Sequence, residues 1–208
     1  MPDMEDKMLT GQESLQIIQK MIQTAKDEQK DNGTGWILWG WCLFAVSILS
    51  YLNMEQGWFL NKSLFWDYFG VFTLIMLVYK IVRYFFMPAN KRASSYTTDI
   101  FNKLNIGFFI LIIFIVFSMN RGVGVSKGFT IMIATYGFWI LIYGTLMNFK
   151  PSVIAAFITW AIAFTALFMA NNYQQVMLFH AAAVLCGYII PGHIAFYEFR
   201  KINPPAMA

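Results

Sequence analysis

The sequence predicts an all-α, polytopic transmembrane helical bundle of about six spans, preceded by a short amphipathic helix. Three observations predict it. Only 12% of the 208 residues are charged while 58% are hydrophobic, against about 25% charged in ordinary soluble domains. A water-soluble fold of this size could not cover its surface with so few charges. The apolar residues also come in long blocks, and a hydrocarbon core of about 30 Å needs roughly 20 helical residues. Finally, the basic residues fall between the blocks in a pattern that alternates from side to side.

The chain divides into a polar segment (1–32), a six-span bundle (33–198) and a short tail (199–208). In the first segment Thr10-Gly11-Gln12-Glu13 has the spacing of a capping box, with Thr10 as N-cap and Glu13 reaching back. Leu15, Ile18, Met21, Ile22 and Ala25 follow at helical spacing, opposite Gln16, Lys20, Gln23, Asp27 and Lys30. Asp31-Asn32-Gly33 closes the helix. Such a helix lies on the membrane surface, packs under the bundle or docks a partner. Leu15, Ile18, Met21 and Ile22 are its candidate partner-binding face. The first thirty residues contain no apolar stretch of the signal-peptide kind, so the first span is expected to act as the insertion signal.

Six apolar blocks follow. They run from about Trp36 to Asn53, from Leu64 to Met87, between Lys103 and Arg121, between Lys127 and Lys150, from Ser152 to Ala170, and from Val176 to about Phe196. The third has 17 residues between its flanking cations, and Lys103 and Arg121 can snorkel from its ends. Asn148-Phe149-Lys150-Pro151 is so short a link that spans four and five are expected to form an antiparallel hairpin. Trp36, Trp39, Trp58 and Trp66 fall near predicted span ends, where amphipathic rings favour the headgroup level.

Of the 15 Lys and Arg residues, all but Lys62, Arg121 and Lys127 fall on one side of a six-span arrangement. Positive loops stay cytoplasmic, so both termini are expected inside, in a multi-pass protein of the cytoplasmic (inner) membrane. Five or seven spans would scatter these charges to both sides. The net charge of +4 does not indicate direct nucleic-acid binding, because the cations border apolar blocks and suit anionic headgroups of the bilayer. Cys42 and Cys186 lie inside apolar blocks and read as small packing residues, without a disulfide.

Ionisable residues at membrane depth are functional candidates. Asp67 stands near one end of span two and His180 about two turns into span six; these are the candidate intramembrane functional residues. Lys80 and Arg83, three residues apart, read as snorkelling cations. His180 and His193 are thirteen residues apart, about 19.5 Å of rise and about 220° of rotation, so they cannot share one metal or haem iron. His180 reads as a hydrogen-bonded packing residue. Ser47, Ser50 and Ser118 lack a glycine-framed elbow, and neither H-E-x-x-H nor a phosphate-binding G-x-x-x-x-G-K-[ST] occurs. No cofactor, metal or catalytic set is therefore expected. Gly137 and Gly144, seven apart in Tyr-Gly pairs, are expected to face a neighbouring backbone. Pro191 is expected to kink or end the last span.

The opening Gly11-Gln12-Glu13-Ser14-Leu15-Gln16-Ile17-Ile18, the Asp31-Asn32-Gly33 stop, the Tyr143-Gly144 segment with its Asn148-Phe149-Lys150-Pro151 turn, and the Ile189-Ile190-Pro191-Gly192-His193 ending resemble an uncharacterised family of small multi-span membrane proteins from Bacteroidota. The resemblance implies no assigned activity. It implies, by gene association alone, a cytoplasmic winged-helix regulator as partner.

Two functions are compatible with these residues. The first is a non-enzymatic regulatory protein that binds a cytoplasmic partner through its N-terminal helix and the basic 88–103 loop. The alternative is a small transporter or channel for an ion or small solute, using Asp67 and His180 and working as a homo-oligomer.

Overall fold

The computed structural model describes residues 33–86 and 96–202, which form helices joined by short links, with no strand among the described residues. In chain order these are α1 (Thr34–Gln56), α2 (Leu64–Phe86), α3 (Tyr96–Ser118), α4 (Val125–Leu146), α5 (Lys150–Met169), α6 (Tyr173–Val184) and α7 (Ile190–Ile202). A π-helical turn, Leu185–Ile189, joins α6 to α7 into one long rod. Six stretches are long and apolar enough to cross a bilayer: Thr34–Gln56, Leu64–Arg83, Ile100–Val123, Val125–Leu146, Lys150–Met169 and Tyr173–Lys201. The chain is a multi-pass membrane protein, and its all-α bundle is the one the apolar blocks predict.

The helices are not equivalent. About 56% of the α4 span and of the α6–α7 span is buried, against 11% for α2 and for α3. The packed body of the bundle is thus α1, α4, α5 and α6–α7, and α2 and α3 lie along its side. In lipid, where apolar surface gains nothing by leaving hydrocarbon, helices associate through close backbone approach and buried polar contacts. The body is built that way. On α4, a Cβ at Gly144 would stand 2.9 Å from the backbone nitrogen of Val153, and one at Gly137 would stand 2.6 Å from the Trp160 ring. Both glycines seat α5, but the close approach of a neighbouring backbone expected of the pair occurs at Gly144 alone; Gly137 makes room for the Trp160 side chain. Ala155, Ala156, Thr159, Ala163 and Ala166 give α5 its small buried face. Between α1 and α6–α7, a Cβ at Gly40 would meet Ile189 at 2.8 Å and one at Gly192 would meet Ile37 at 2.9 Å.

The links follow from local chemistry. Gly57 ends α1 in the left-handed region (φ 66°), returning its N–H to the Asn53 carbonyl at 2.9 Å. Asn148 takes φ 49° in the hairpin turn, where the Phe149 N–H donates to the Gly144 carbonyl at 2.7 Å. Pro151 then sits in the first turn of α5, where its missing N–H costs nothing. The expected α4–α5 hairpin is present.

Of the two outcomes expected at Pro191, a kink or an end, the end does not occur, since the helix continues to Ile202. A proline at that position removes one i→i−4 bond and crowds the carbonyl four residues back, that of Gly187; the π turn at Leu185–Ile189 takes up the mismatch, with the Ile190 N–H donating to the Leu185 carbonyl. The rings of Trp36 and Trp66, expected near span ends, face into the bundle. Trp36 is buried between Tyr143 (centroids 4.3 Å apart) and Tyr188 (4.8 Å). Trp66 packs against Phe129 at 4.7 Å. Of the four tryptophans placed at span ends, Trp58 is the one that is exposed, in the α1–α2 link.

Candidate functional site

Because α2 and α3 lean on the body without packing tightly into it, a seam runs between them and the body. Two cavities occupy it. The first, about 430 Å³, is lined by residues between 63 and 74 of the α2 region, by residues between 108 and 117 of α3 and by Met119 and Asn120 just beyond it, with Phe129 and Tyr136 of α4 behind them. The second, about 340 Å³, is lined by Met76, Leu77 and Lys80 of α2 and by Phe101, Asn105 and Phe108 of α3. The two therefore succeed each other along the helix axes. From Ser63 to Lys80 the α2 strip they share is about 26 Å long at 1.5 Å per residue, most of a ~30 Å hydrocarbon core.

Trp39, Phe108 and Phe109 line both cavities and so form the septum between them. The Trp39 and Phe109 rings meet edge-on, with centroids 5.6 Å apart and planes at 82°. Phe108 and Phe109 meet in the same manner at 5.6 Å. Behind the septum Phe108 stacks on Trp139 at 4.8 Å, which anchors α3 to α4.

Each cavity carries one charged side chain. Asp67 lies in the first turn of α2 and is exposed. Its Oδ2 accepts from Asn61 Nδ2 at 3.0 Å and from Ser63 Oγ at 2.9 Å. The link that carries these groups is fixed from α1 by Asn53, buried, whose Nδ2 donates to the Asn61 carbonyl (3.1 Å) and whose Oδ1 accepts from the Phe59 N–H (2.8 Å). At the other end Lys80 Nζ donates to Asn105 Oδ1 at 2.9 Å and lies 5.2 Å from the centre of the Phe109 ring. Lys80 thus ties α2 to α3 at the septum, where its sequence position suggested only a side chain reaching for headgroups. Arg83 is exposed one turn further on.

His180 is fully buried behind the wall of the first cavity. Trp66, Phe129 and Tyr136 surround it, with ring centroids at 5.0, 5.6 and 5.4 Å. Its Nδ1 is 2.8 Å from Ser47 Oγ on α1, and Ser47 also donates to the Leu43 carbonyl at 2.7 Å. A hydroxyl has one proton, so with that proton on Leu43 the imidazole Nδ1–H donates to Ser47 Oγ. The pair has the composition of a nucleophile and base, but it is sealed by aromatic rings and the serine proton is already engaged. Its geometry is that of a helix–helix clamp, in keeping with the packing role expected of His180.

The structure therefore puts Asp67 in the cavity and His180 behind it, with Trp66 as the layer between: Trp66, the residue before Asp67 on α2, touches the His180 ring and donates from Nε1 to Met177 Sδ at 3.0 Å. His193 is exposed on α7, apart from His180. Leu15, Ile18, Met21 and Ile22 lie outside the described residues. Among the described residues no three His, Cys, Asp or Glu side chains converge as metal ligands, and Cys42 and Cys186 are free, half-buried thiols. Sequence reasoning missed Ser47, Asn105 and the septum rings. A signal for Ser47 was present, since Ser47, Ser50 and Asn53 repeat every three residues on one face of an apolar helix. The septum gave none, because aromatic residues are spread along every span. No protein-family profile, curated protein or solved structure matches the chain.

Proposed function

We propose that this protein is a small, non-enzymatic transporter or channel whose path is the seam between α2–α3 and the body of the bundle. One observation carries the reading: two cavities lie in line over most of a membrane thickness and meet at the Trp39, Phe108 and Phe109 septum. Sites between helices at membrane depth, with a few polar groups on an apolar wall, are where transported ligands reside. The weak embedding of α2 and α3 supports it, because a seam that must open cannot be tightly packed. The charge pattern favours cytoplasmic termini in an inner membrane, which puts Lys80 toward the cytoplasm and Asp67 toward the opposite face. The test is flux in proteoliposomes. Phe109→Ala should raise passage of a small solute and Asp67→Asn should lower that of a cation; identical flux in both variants and the parent would refute the path.

The regulatory reading rests on the amphipathic helix that the sequence predicts in segment 1–32, with its expected face of Leu15, Ile18, Met21 and Ile22. A cytoplasmic partner docked there is compatible with a transport path in the bundle. Deleting residues 1–32 should abolish recovery of such a partner after crosslinking while the bundle still inserts; an intact complex after deletion would exclude this face.

A further inference from the structure

The geometry points to a hydrophobic organic cation, a bulky ammonium or phosphonium, as the ligand of the first cavity; this inference rests on the transport reading and names its substrate class. The lining carries one formal charge, the carboxylate of Asp67, and no Lys or Arg. Asp67 has no ion-pair partner among the described residues: Oδ2 is held by the neutral donors of Asn61 and Ser63, and no described group donates to Oδ1. The walls beyond it are the rings of Trp39, Trp66, Phe69, Phe108, Phe129 and Tyr136.

Each class of ligand fares differently against that surface. A small hydrated cation would lose water to reach rings that replace it poorly. An anion would meet the carboxylate at the mouth and find no cation in the lining. A neutral acyl chain would fit the walls and gain nothing from Asp67. A bulky cation uses both features, with its charge over ring faces and within the field of the carboxylate, and its apolar body in the wall. The septum already holds one cation in this way, since the Lys80 ammonium stands 5.2 Å from the centre of Phe109. Lying in the second cavity, Lys80 also opposes a second cation there. The first cavity is therefore the resting place of the ligand, and the septum with Lys80 is the barrier it must cross.

Tetraphenylphosphonium and tetraphenylborate share a shape and differ in sign, so they isolate the charge. Equilibrium binding of each to the purified full-length protein in a neutral detergent should give saturable phosphonium binding at least about tenfold tighter than borate. Asp67→Asn should weaken phosphonium about tenfold or more and leave borate unchanged. Gly70→Phe, at a lining position where a Cβ would meet nothing within 4 Å, should occlude the cavity and set the nonspecific baseline. If Asp67→Asn does not fold, Asp67→Glu, which should retain binding, and Gly70→Phe carry the test. Equal binding of the two ions, or phosphonium binding indifferent to Asp67 and Gly70, would overturn the inference, as would displacement of phosphonium by neutral lipid alone. Flux of neutral solutes through Phe109→Ala without phosphonium preference would sink this substrate class and leave the path standing; Asp67-dependent phosphonium binding with no gain of flux in Phe109→Ala would do the reverse.

Discussion

Ser47 on α1 and His180 on α6 are joined across the middle of the bundle, Oγ to Nδ1 at 2.8 Å, with both side chains fully buried. The contact joins α1 to α6, and the His180 ring also meets Trp66 of α2 edge-on at 5.0 Å.

Breaking that contact should loosen the bundle without altering the seam's charge. Ser47→Ala is expected to lower stability by about 1 kcal/mol, in the range of interhelical hydrogen bonds in membranes. His180→Ala is expected to cost about 2–5 kcal/mol, because it also empties a ring-sized site among Trp66, Phe129 and Tyr136. Thermal unfolding in detergent should give a double variant less destabilised than the two effects added, since both remove one bond. Strict additivity would mean the bond contributes nothing.

The α4–α5 hairpin offers a contrast between glycines. A Cβ at Gly144 would press on the Val153 backbone nitrogen, which cannot rotate away, so Gly144→Val should cost about 1–3 kcal/mol. Gly107, where a Cβ would meet nothing within 4 Å, should accept alanine with no loss and a gain of up to about 1 kcal/mol. Comparing melting temperatures of the two variants checks the assignment of the close contact.

Trp36 and Trp58 separate core from periphery. Trp36→Ala removes a ring that stacks on Tyr188 and meets Tyr143 at a tilt, and should destabilise by about 3–5 kcal/mol. Trp58→Ala, at an exposed link position, should stay within about 0.5 kcal/mol. Equal effects in detergent would contradict the core position of Trp36.

Asn53 should hold the Asp67 mouth in shape from a distance. Asn53→Leu removes the acceptor for the Phe59 N–H and the donor to the Asn61 carbonyl, at a cost of about 1–3 kcal/mol. Hydrogen exchange should accelerate over residues 57–63 and remain unchanged in α4 and α5. Unaltered protection in the link would show that Asn53 does not organise it.

What was legible in the sequence divides by the kind of interaction. Block length and charge placement gave the spans, because the thickness of the bilayer and the cost of burying charge act on composition alone. The Gly137 and Gly144 spacing predicted where α5 comes close, and the tight Asn148–Pro151 link predicted the hairpin, since both are local periodic signals. Asp67 and His180 were singled out by depth; Asp67 lines the first cavity, while His180 lies buried behind its wall. Their partners were not readable, because Ser47 lies 133 positions from His180 and only the fold brings them together. Trp36 and Trp66 misled for a related reason: proximity to a span end specifies depth and leaves open which way a ring faces. Lys80 misled likewise, its length suiting headgroups and Asn105 equally well.

The central claim is that the two cavities are the halves of one path interrupted at Trp39, Phe108 and Phe109. It is tested most directly by thiol accessibility in sealed proteoliposomes of uniform orientation, with Cys42 and Cys186 replaced by alanine. Gly70→Cys reports the first cavity and Gly35→Cys the second, both at positions where an added side chain meets nothing within 4 Å. The account predicts that a membrane-impermeant thiol reagent reaches Gly70→Cys from one face only and Gly35→Cys from the other only, and that adding Phe109→Ala opens each to both faces. Labelling no faster than at a cysteine placed on the lipid-facing position Phe164, with or without Phe109→Ala, would contradict it.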